Sequence, residues 1–262
     1  MGRSLPAVLS IAGSDSSGGA GIQADLKTML ALGVYGMTAI TALTAQNTTE
    51  VREVQLATPD FLAQEIEAVF DDIRPDAVKI GMLGSAELTM VVAEELEHYT
   101  AENVVFDPVM VATSGASLAG DAVAAMAELM GLAVLVTPNV AELAALTGME
   151  VSDRRSCERA ACQLASHYNV SVLAKGGHLA GDADDLLITP DLRAWLPGER
   201  IANPNTHGTG CTLSSAIAAE LALGHELVEA VRLAKDYLTQ AIAADLDMGH
   251  GSGPLDHAWQ WR

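Results

Sequence analysis

Short apolar runs alternate with amphipathic stretches along most of this chain, and that rhythm constrains its fold more than any other feature. Strand-like runs fall at 7–12, 77–80, 104–106, 134–136 and 170–174, too short for helices and bounded by turn residues. Helical patterns lie between them, near 22–27, from Pro59 to Phe70, and at 88–96, 122–129, 140–146 and 154–168. Pro59 and Asp60 are ordinary helix-start residues, and Phe61, Ile66, Val69 and Phe70 are expected on one side. Parallel strands need a crossover, usually a helix, where antiparallel strands need only a tight turn. The alternation from Ala7 to Lys175 therefore predicts an α/β fold, a mostly parallel central sheet with helices on both faces. A further strand is expected over 35–44. Beyond Lys175 the rhythm changes. Residues 182–201 read as a small antiparallel edge hairpin, followed by helices near 212–223 and 227–244. The glycine-rich tail after Gly249 is expected to be loose. With no linker and no internal repeat, 1–262 reads as one domain.

Charge narrows the partners. Lys and Arg number 14 against 34 Asp and Glu, a net charge of −20. Such a chain has no electrostatic footprint for nucleic acid or an anionic membrane. A phosphate ligand would need a local positive field from a helix N-terminus, a lysine or a metal ion. No apolar run approaches the ~20 residues of a membrane span, and the run after Arg3 reads as a buried strand rather than a signal peptide. Three cysteines exclude a disulfide framework and fit a reducing compartment, so a cytoplasmic location is expected. Cys157 and Cys162 fall in a helical pattern as small buried hydrophobes.

The most loaded segment is Asn205-Thr206-His207-Gly208-Thr209-Gly210-Cys211-Thr212, a tight turn opening into a helix. Gly208 and Gly210 let a ligand approach the backbone. A helix N-terminus leaves about four N–H groups unpaired and favours an anion. Cys211 falls in the first helical turn, where a thiol pKa is expected to drop. Other notable residues follow strands: the Gly13 loop, Gln46, Met82, Asp107, Asn139 and Glu142, and Lys175. Ligands of open α/β sheets bind beyond the carboxyl ends of the strands. Asp25 reads either as a helix-dipole partner or as an acceptor for a substrate amine. Gln46 carries the donor and acceptor an aminopyrimidine edge would pair with. Asp107 stands where a hydrated cation could be held. Asn139 and Glu142 fit a helix capping box, which leaves a water-mediated Mg²⁺ role open to them. The spacing is neither G-x-G-x-x-G nor G-x-x-x-x-G-K-[ST], which sets aside a nicotinamide fold and a P-loop kinase. Two glycine loops, a lysine and a carboxylate suggest phosphoryl transfer, which rests on positioning and charge neutralisation. A Cys-dependent hydrolase and a non-catalytic binding protein are the competing readings.

These segments together resemble the ribokinase-like superfamily and, within it, the hydroxymethylpyrimidine/phosphomethylpyrimidine kinases of thiamine biosynthesis. The resemblance is carried by Ala12-Gly13-Ser14-Asp15, by 17–27, Thr44-Ala45-Gln46-Asn47, Lys79-Ile80-Gly81-Met82-Leu83 and Asp107-Pro108-Val109-Met110. Thr137-Pro138-Asn139 with Glu142, Lys175-Gly176-Gly177-His178 and 206–212 complete it. It implies two successive phosphorylations of 4-amino-5-hydroxymethyl-2-methylpyrimidine with ATP and Mg²⁺, in a homodimer. Residue by residue, it implies that Gly13, Asp25, Gln46, Met82 and Val109 line the pyrimidine. Lys175, Thr206 and Thr209 fall on the ATP side with the Gly208–Gly210 turn, and Asp107 and Glu142 near Mg²⁺. Cys211 stands where the wider superfamily has an Asp base. A pyridoxal/pyridoxine kinase is the nearest alternative, against which Gln46 favours the aminopyrimidine.

Overall fold

The computed structural model describes residues 5–110, 120–177 and 183–262. His178 and Asp182, parts of two sequence motifs, lie outside these. The main sheet holds β1 (Ala7–Ala12), β2 (Tyr35–Ile40), β5 (Ala77–Ile80), β6 (Val104–Phe106), β7 (Leu135–Val136), β8 (Ser171–Ala174), β9 (Asp185–Ile188) and β10 (Arg193–Leu196). Its order is β10-β9-β8-β7-β6-β5-β1-β2. The six strands from β8 to β2 are parallel, whereas β9 runs antiparallel to β8, and β10 to β9. The edge hairpin read from the sequence is thus present and continues the central sheet.

Alternation of side chains along each strand feeds two cores. Leu9, Ile11, Val78, Ile80, Val104 and Phe106 face one side, where they meet α2 (Pro59–Phe70), α3 (Ala86–His98), α4 (Gly120–Leu132), α5 (Val140–Thr147) and α6 (Arg154–Tyr168). Val8, Ala77, Val105, Leu135 and Leu173 face the other, packed on α1 (Gly21–Ala31), α7 (Thr209–Ala222) and α8 (Leu227–Ala243). A parallel sheet covered on both faces accounts for the near-continuous apolar strands. Helix starts follow local chemistry. Thr58, Ser85, Asn139 and Asp153 each cap a helix with a side-chain acceptor, and the last two form reciprocal capping boxes. Each such cap is worth about 1 kcal/mol.

Three expectations are corrected. The run 35–44 is two strands, not one. The Thr41 hydroxyl donates to the Met82 carbonyl (2.6 Å) and Ser14 N–H to the Ala42 carbonyl (2.8 Å), turning the chain out of the sheet. Beyond that turn β3 (Ala42–Gln46) pairs antiparallel with β4 (Val51–Leu56) as a separate two-stranded ribbon. Phe61 is 57% exposed, so it leaves the apolar face of α2 to Leu62, Ile66 and Phe70. The tail after Gly249 is not loose: Leu255, Asp256 and His257 are buried.

Candidate active site

The parallel strands end on one rim, and the loops leaving them enclose a cavity of about 820 Å³. Gly13 follows β1. An added Cβ there would lie 2.6 Å from Met82 Cε, so the glycine makes room for that side chain. Gln46 ends β3 and Val109 follows β6, and with Gly13 and Met82 they line the cavity. Asp107, Glu142 and Lys175 form another wall, joined by Thr206, Gly208, Thr209, Gly210 and Cys211. The structure therefore brings together every sequence-predicted site residue except Asp25.

The turn before α7 adopts its shape by necessity. Gly208 has φ +85°, and a Cβ there would run into the Gly19 carbonyl. The Thr209 hydroxyl donates to the Thr206 carbonyl (2.6 Å), which tightens the approach to the helix. A Cβ on Gly210 would stand 3.3 Å from Asp107 Oδ2 and 3.4 Å from Lys175 Nζ. The start of α7 thus lies directly over a lysine and a carboxylate. Lys175 donates to Asp107 Oδ1 (2.7 Å), which also accepts from Thr137 (3.1 Å), and Glu142 lies 4.0 Å from Lys175. Burial would lower the Lys175 pKa, but Asp107 and Glu142 overcome it and hold the ammonium above its usual range. Burial, with the Asp107 charge adding, pushes Glu142 up to about 7 against the pull of Lys175. The capping box is real: Asn139 N–H donates to Glu142 Oε2 (2.7 Å) and Glu142 N–H to Asn139 Oδ1 (2.9 Å). It is also how Glu142 comes to face Lys175.

Asp25 is the exception. It is fully buried and accepts from Lys79 Nζ with both oxygens (2.9 and 2.8 Å), from Ser10 (2.6 Å) and from Ser215 (2.7 Å). With this many donors on a sealed carboxylate, no acceptor site is presented to a substrate amine. Lys79, read from the sequence only as a strand residue, is fully buried beneath the floor of the cavity, beside Cys211. A lysine inside a strand as apolar as Ala-Val-Lys-Ile was the signal that a buried partner existed. Burial opposes its charge, but Asp25 foremost and then Cys211 and Asp107 hold the ammonium above its usual range.

The expectation for Cys211 is also corrected. Burial raises its thiol pKa, and Asp25 and Asp107 add to the rise, whereas Lys79 and the Gly21 amide oppose it. The start of α7 does not by itself reverse that burial.

Two further residues line the cavity near Gln46. Asp15 accepts from Ser17 N–H and hydroxyl (2.8 and 2.7 Å), Gly19 N–H (3.0 Å) and Ala20 N–H (2.8 Å), and lies 2.9 Å from His207 Nε2. Burial alone would raise its pKa, but His207, Ser17 and Ala20 hold it well below the usual carboxylate range. His207 Nε2 also lies 3.2 Å from Gln46 Nε2, so the turn before α7 touches the ribbon directly.

A carboxyl-rim cavity with a glycine turn opening a helix over a Lys–Asp pair, on a mostly parallel sheet, defines a kinase of the ribokinase-like class. The structure of a Bacillus subtilis pyridoxal kinase in complex with ADP matches with a TM-score of 0.91 at 36% identity, covering 98% of this chain and 99% of that one. Within the class the chain belongs to the phosphomethylpyrimidine kinase family, whose sequence profile matches residues 15–256. It is 49% identical to the hydroxymethylpyrimidine/phosphomethylpyrimidine kinase of Streptomyces coelicolor, over 97% of this chain and 95% of that protein. It is also 50% identical to a bifunctional thiamine biosynthesis protein of Geobacter sulfurreducens, over 95% of this chain and 52% of that protein.

Proposed function

We propose that this protein transfers the γ-phosphoryl group of ATP to 4-amino-5-hydroxymethyl-2-methylpyrimidine, and then a second group to the monophosphate, for thiamine biosynthesis. One observation carries the reading: Gln46, Met82 and Val109 share a single cavity with the Gly208–Cys211 turn, Lys175 and Asp107. Gln46 offers a donor and an acceptor to the aminopyrimidine edge, and Met82 and Gly13 supply an apolar wall. The turn presents first-turn amides to the transferring phosphoryl, and Lys175 neutralises its charge. The chain works as one kinase domain, cytoplasmic and dimeric.

The donor set also suits Mg²⁺. Among the described residues there is no cluster of three or more metal-ligating side chains. Mg²⁺ is usually held by one or two carboxylates together with waters and substrate phosphates, and Asp107 and Glu142 are such a pair. When bound there it would neutralise charge on the phosphate oxygens.

In the first step the hydroxymethyl oxygen attacks the γ-phosphorus, the bond to the β–γ bridging oxygen breaks, and ADP leaves. Cys211, as thiolate, takes the hydroxyl proton. Burial, Asp25 and Asp107 oppose that thiolate, whereas Lys79 and the Gly21 amide favour it, so the base is the minor thiolate form at neutral pH. In the second step the acceptor is already a phosphate oxygen and needs no base. Cys211→Ala should therefore slow the first step by about 10²-fold or more and the second far less. Equal loss in both would remove Cys211 as the base.

The likeness to a pyridoxal kinase favours one alternative, phosphorylation of pyridoxal. ATP consumption with hydroxymethylpyrimidine, its monophosphate, pyridoxal and pyridoxine, each with and without Mg²⁺, separates the two. Turnover of both pyrimidines well above the pyridines is expected. Turnover of pyridoxal alone would overturn the assignment.

A further inference from the structure

Residues 249–257 touch the two segments that carry opposite walls of the cavity without lining it. On the phosphate side, Gly253 N–H donates to Asn205 Oδ1 (2.9 Å) and His207 N–H to the Gly253 carbonyl (3.1 Å). The Ser252 hydroxyl donates to the Pro204 carbonyl (3.1 Å) and accepts from Thr206 N–H (3.3 Å). Deeper in, His257 Nε2 lies 2.9 Å from the hydroxyl of fully buried Thr212, the residue after Cys211. Tyr237 of α8 fixes this end by donating to the His257 carbonyl (2.7 Å).

On the other wall, Thr48 at the ribbon tip accepts from His250 N–H and Gly251 N–H, both at 3.2 Å. The fit is close. A Cβ on Gly249 would lie 2.5 Å from Thr48 Oγ1, and one on Gly251 would run into the Thr48 carbonyl. Gln46 stands two residues before Thr48. One short segment therefore holds the ribbon that carries Gln46 and the turn that carries Gly208 to Cys211.

We propose that residues 249–257 set the spacing between the acceptor and the transferring phosphoryl, with Thr48 and Gly253 as positioning residues. This rests on the kinase reading above. A displacement of about 1 Å between reacting groups can cost about 10²-fold in rate without altering ground-state affinity. A brace spanning the two walls acts on that distance.

The test compares Thr48→Val, which keeps shape and removes the acceptor, with Thr48→Ser, which keeps it. Gly253→Ala adds a Cβ 2.5 Å from Asn205 Oδ1 and pushes the brace off the turn. The readouts are kcat, the KM for ATP and for hydroxymethylpyrimidine, thermal unfolding, and ADP released per pyrimidine phosphorylated. The parent should release one ADP per product. Thr48→Val should lose about tenfold in kcat, keep both KM values within about threefold, and release excess ADP as water replaces the misplaced acceptor. Thr48→Ser should restore the parent values, and Gly253→Ala should exceed Thr48→Val. If Gly253→Ala does not fold, Thr48→Val at the ribbon tip still decides. Parent kcat and parent stoichiometry in Thr48→Val would overturn this inference alone. A parent that binds ATP but yields no phosphorylated pyrimidine would overturn the kinase reading and this inference with it.

Discussion

Two lysine–aspartate pairs lie close together in this protein and do different work. Lys79 and Asp25 are both 0% exposed, and two serines complete the carboxylate's shell. Lys175 and Asp107 are 16% and 2% exposed, share their space with Glu142, and lie beneath Gly210. The chemistry is the same and the placement differs. Lys79 lies within β5 and points toward α1 and α7, between sheet and helices. Lys175 lies one residue past β8, on the rim. Position along the strand therefore separates a pair that holds elements together from one that can meet a substrate.

The largest effect should come from the sealed pair. Lys79→Met leaves Asp25 buried without its countercharge and should cost about 3–5 kcal/mol, measured by chemical denaturation. The double variant Lys79→Met, Asp25→Leu should recover most of this, because a packed apolar pair can replace a buried ion pair. No recovery would show that an apolar pair cannot replace the ion pair together with its Ser10 and Ser215 donors. Next comes the rim pair. Lys175→Met should lower phosphoryl transfer by about 10²-fold, at well under half the stability cost of Lys79→Met. Similar stability losses in the two variants would erase the contrast.

The third effect is smaller and concerns pH. Glu142 has its pKa pushed up to about 7, so it carries its full charge only above that pH. A carboxylate must be ionised to attract a cation, so protons compete below pH 7. Apparent Mg²⁺ affinity, followed by activity against Mg²⁺ concentration, should fall about tenfold from pH 8 to pH 6. Glu142→Gln should bind more weakly and lose this dependence. An unchanged slope in Glu142→Gln would assign the titration to another group.

The parallel core was legible because each strand is a compact apolar run with a helix beside it. β5, β6 and α6 carry the residues the pattern assigns to them. The ribbon was only half visible, because β4 reads Val-Arg-Glu-Val-Gln-Leu and buries almost nothing. That Asp107, Lys175 and the turn before α7 would share one rim was legible because each follows a strand or opens a helix. Asp25 was misplaced because its partner Lys79 is 54 positions away, and no local pattern announces a contact of that span. The tail was missed for a related reason: its segment carries one buried aliphatic side chain, Leu255, and is held largely by polar contacts to residues 20 to 48 or more positions earlier.

Asp15 has a consequence for traffic at the site. A protein with 34 acidic and 14 basic side chains must admit polyanionic nucleotide into a cleft with two glycine-rich openings. At the opening ahead of α1 the chain supplies its own resident anion, because Asp15 already collects the amides of Ser17, Gly19 and Ala20. Neither helix has a side-chain cap of its own, and among the described residues no carboxylate hydrogen-bonds the Gly208–Cys211 amides as Asp15 does those ahead of α1. One berth is occupied by the chain itself and the other is left to the ligand. On the proposed kinase reading, an incoming polyphosphate is thereby offered one amide berth rather than two, which narrows its orientation before any reacting atoms meet.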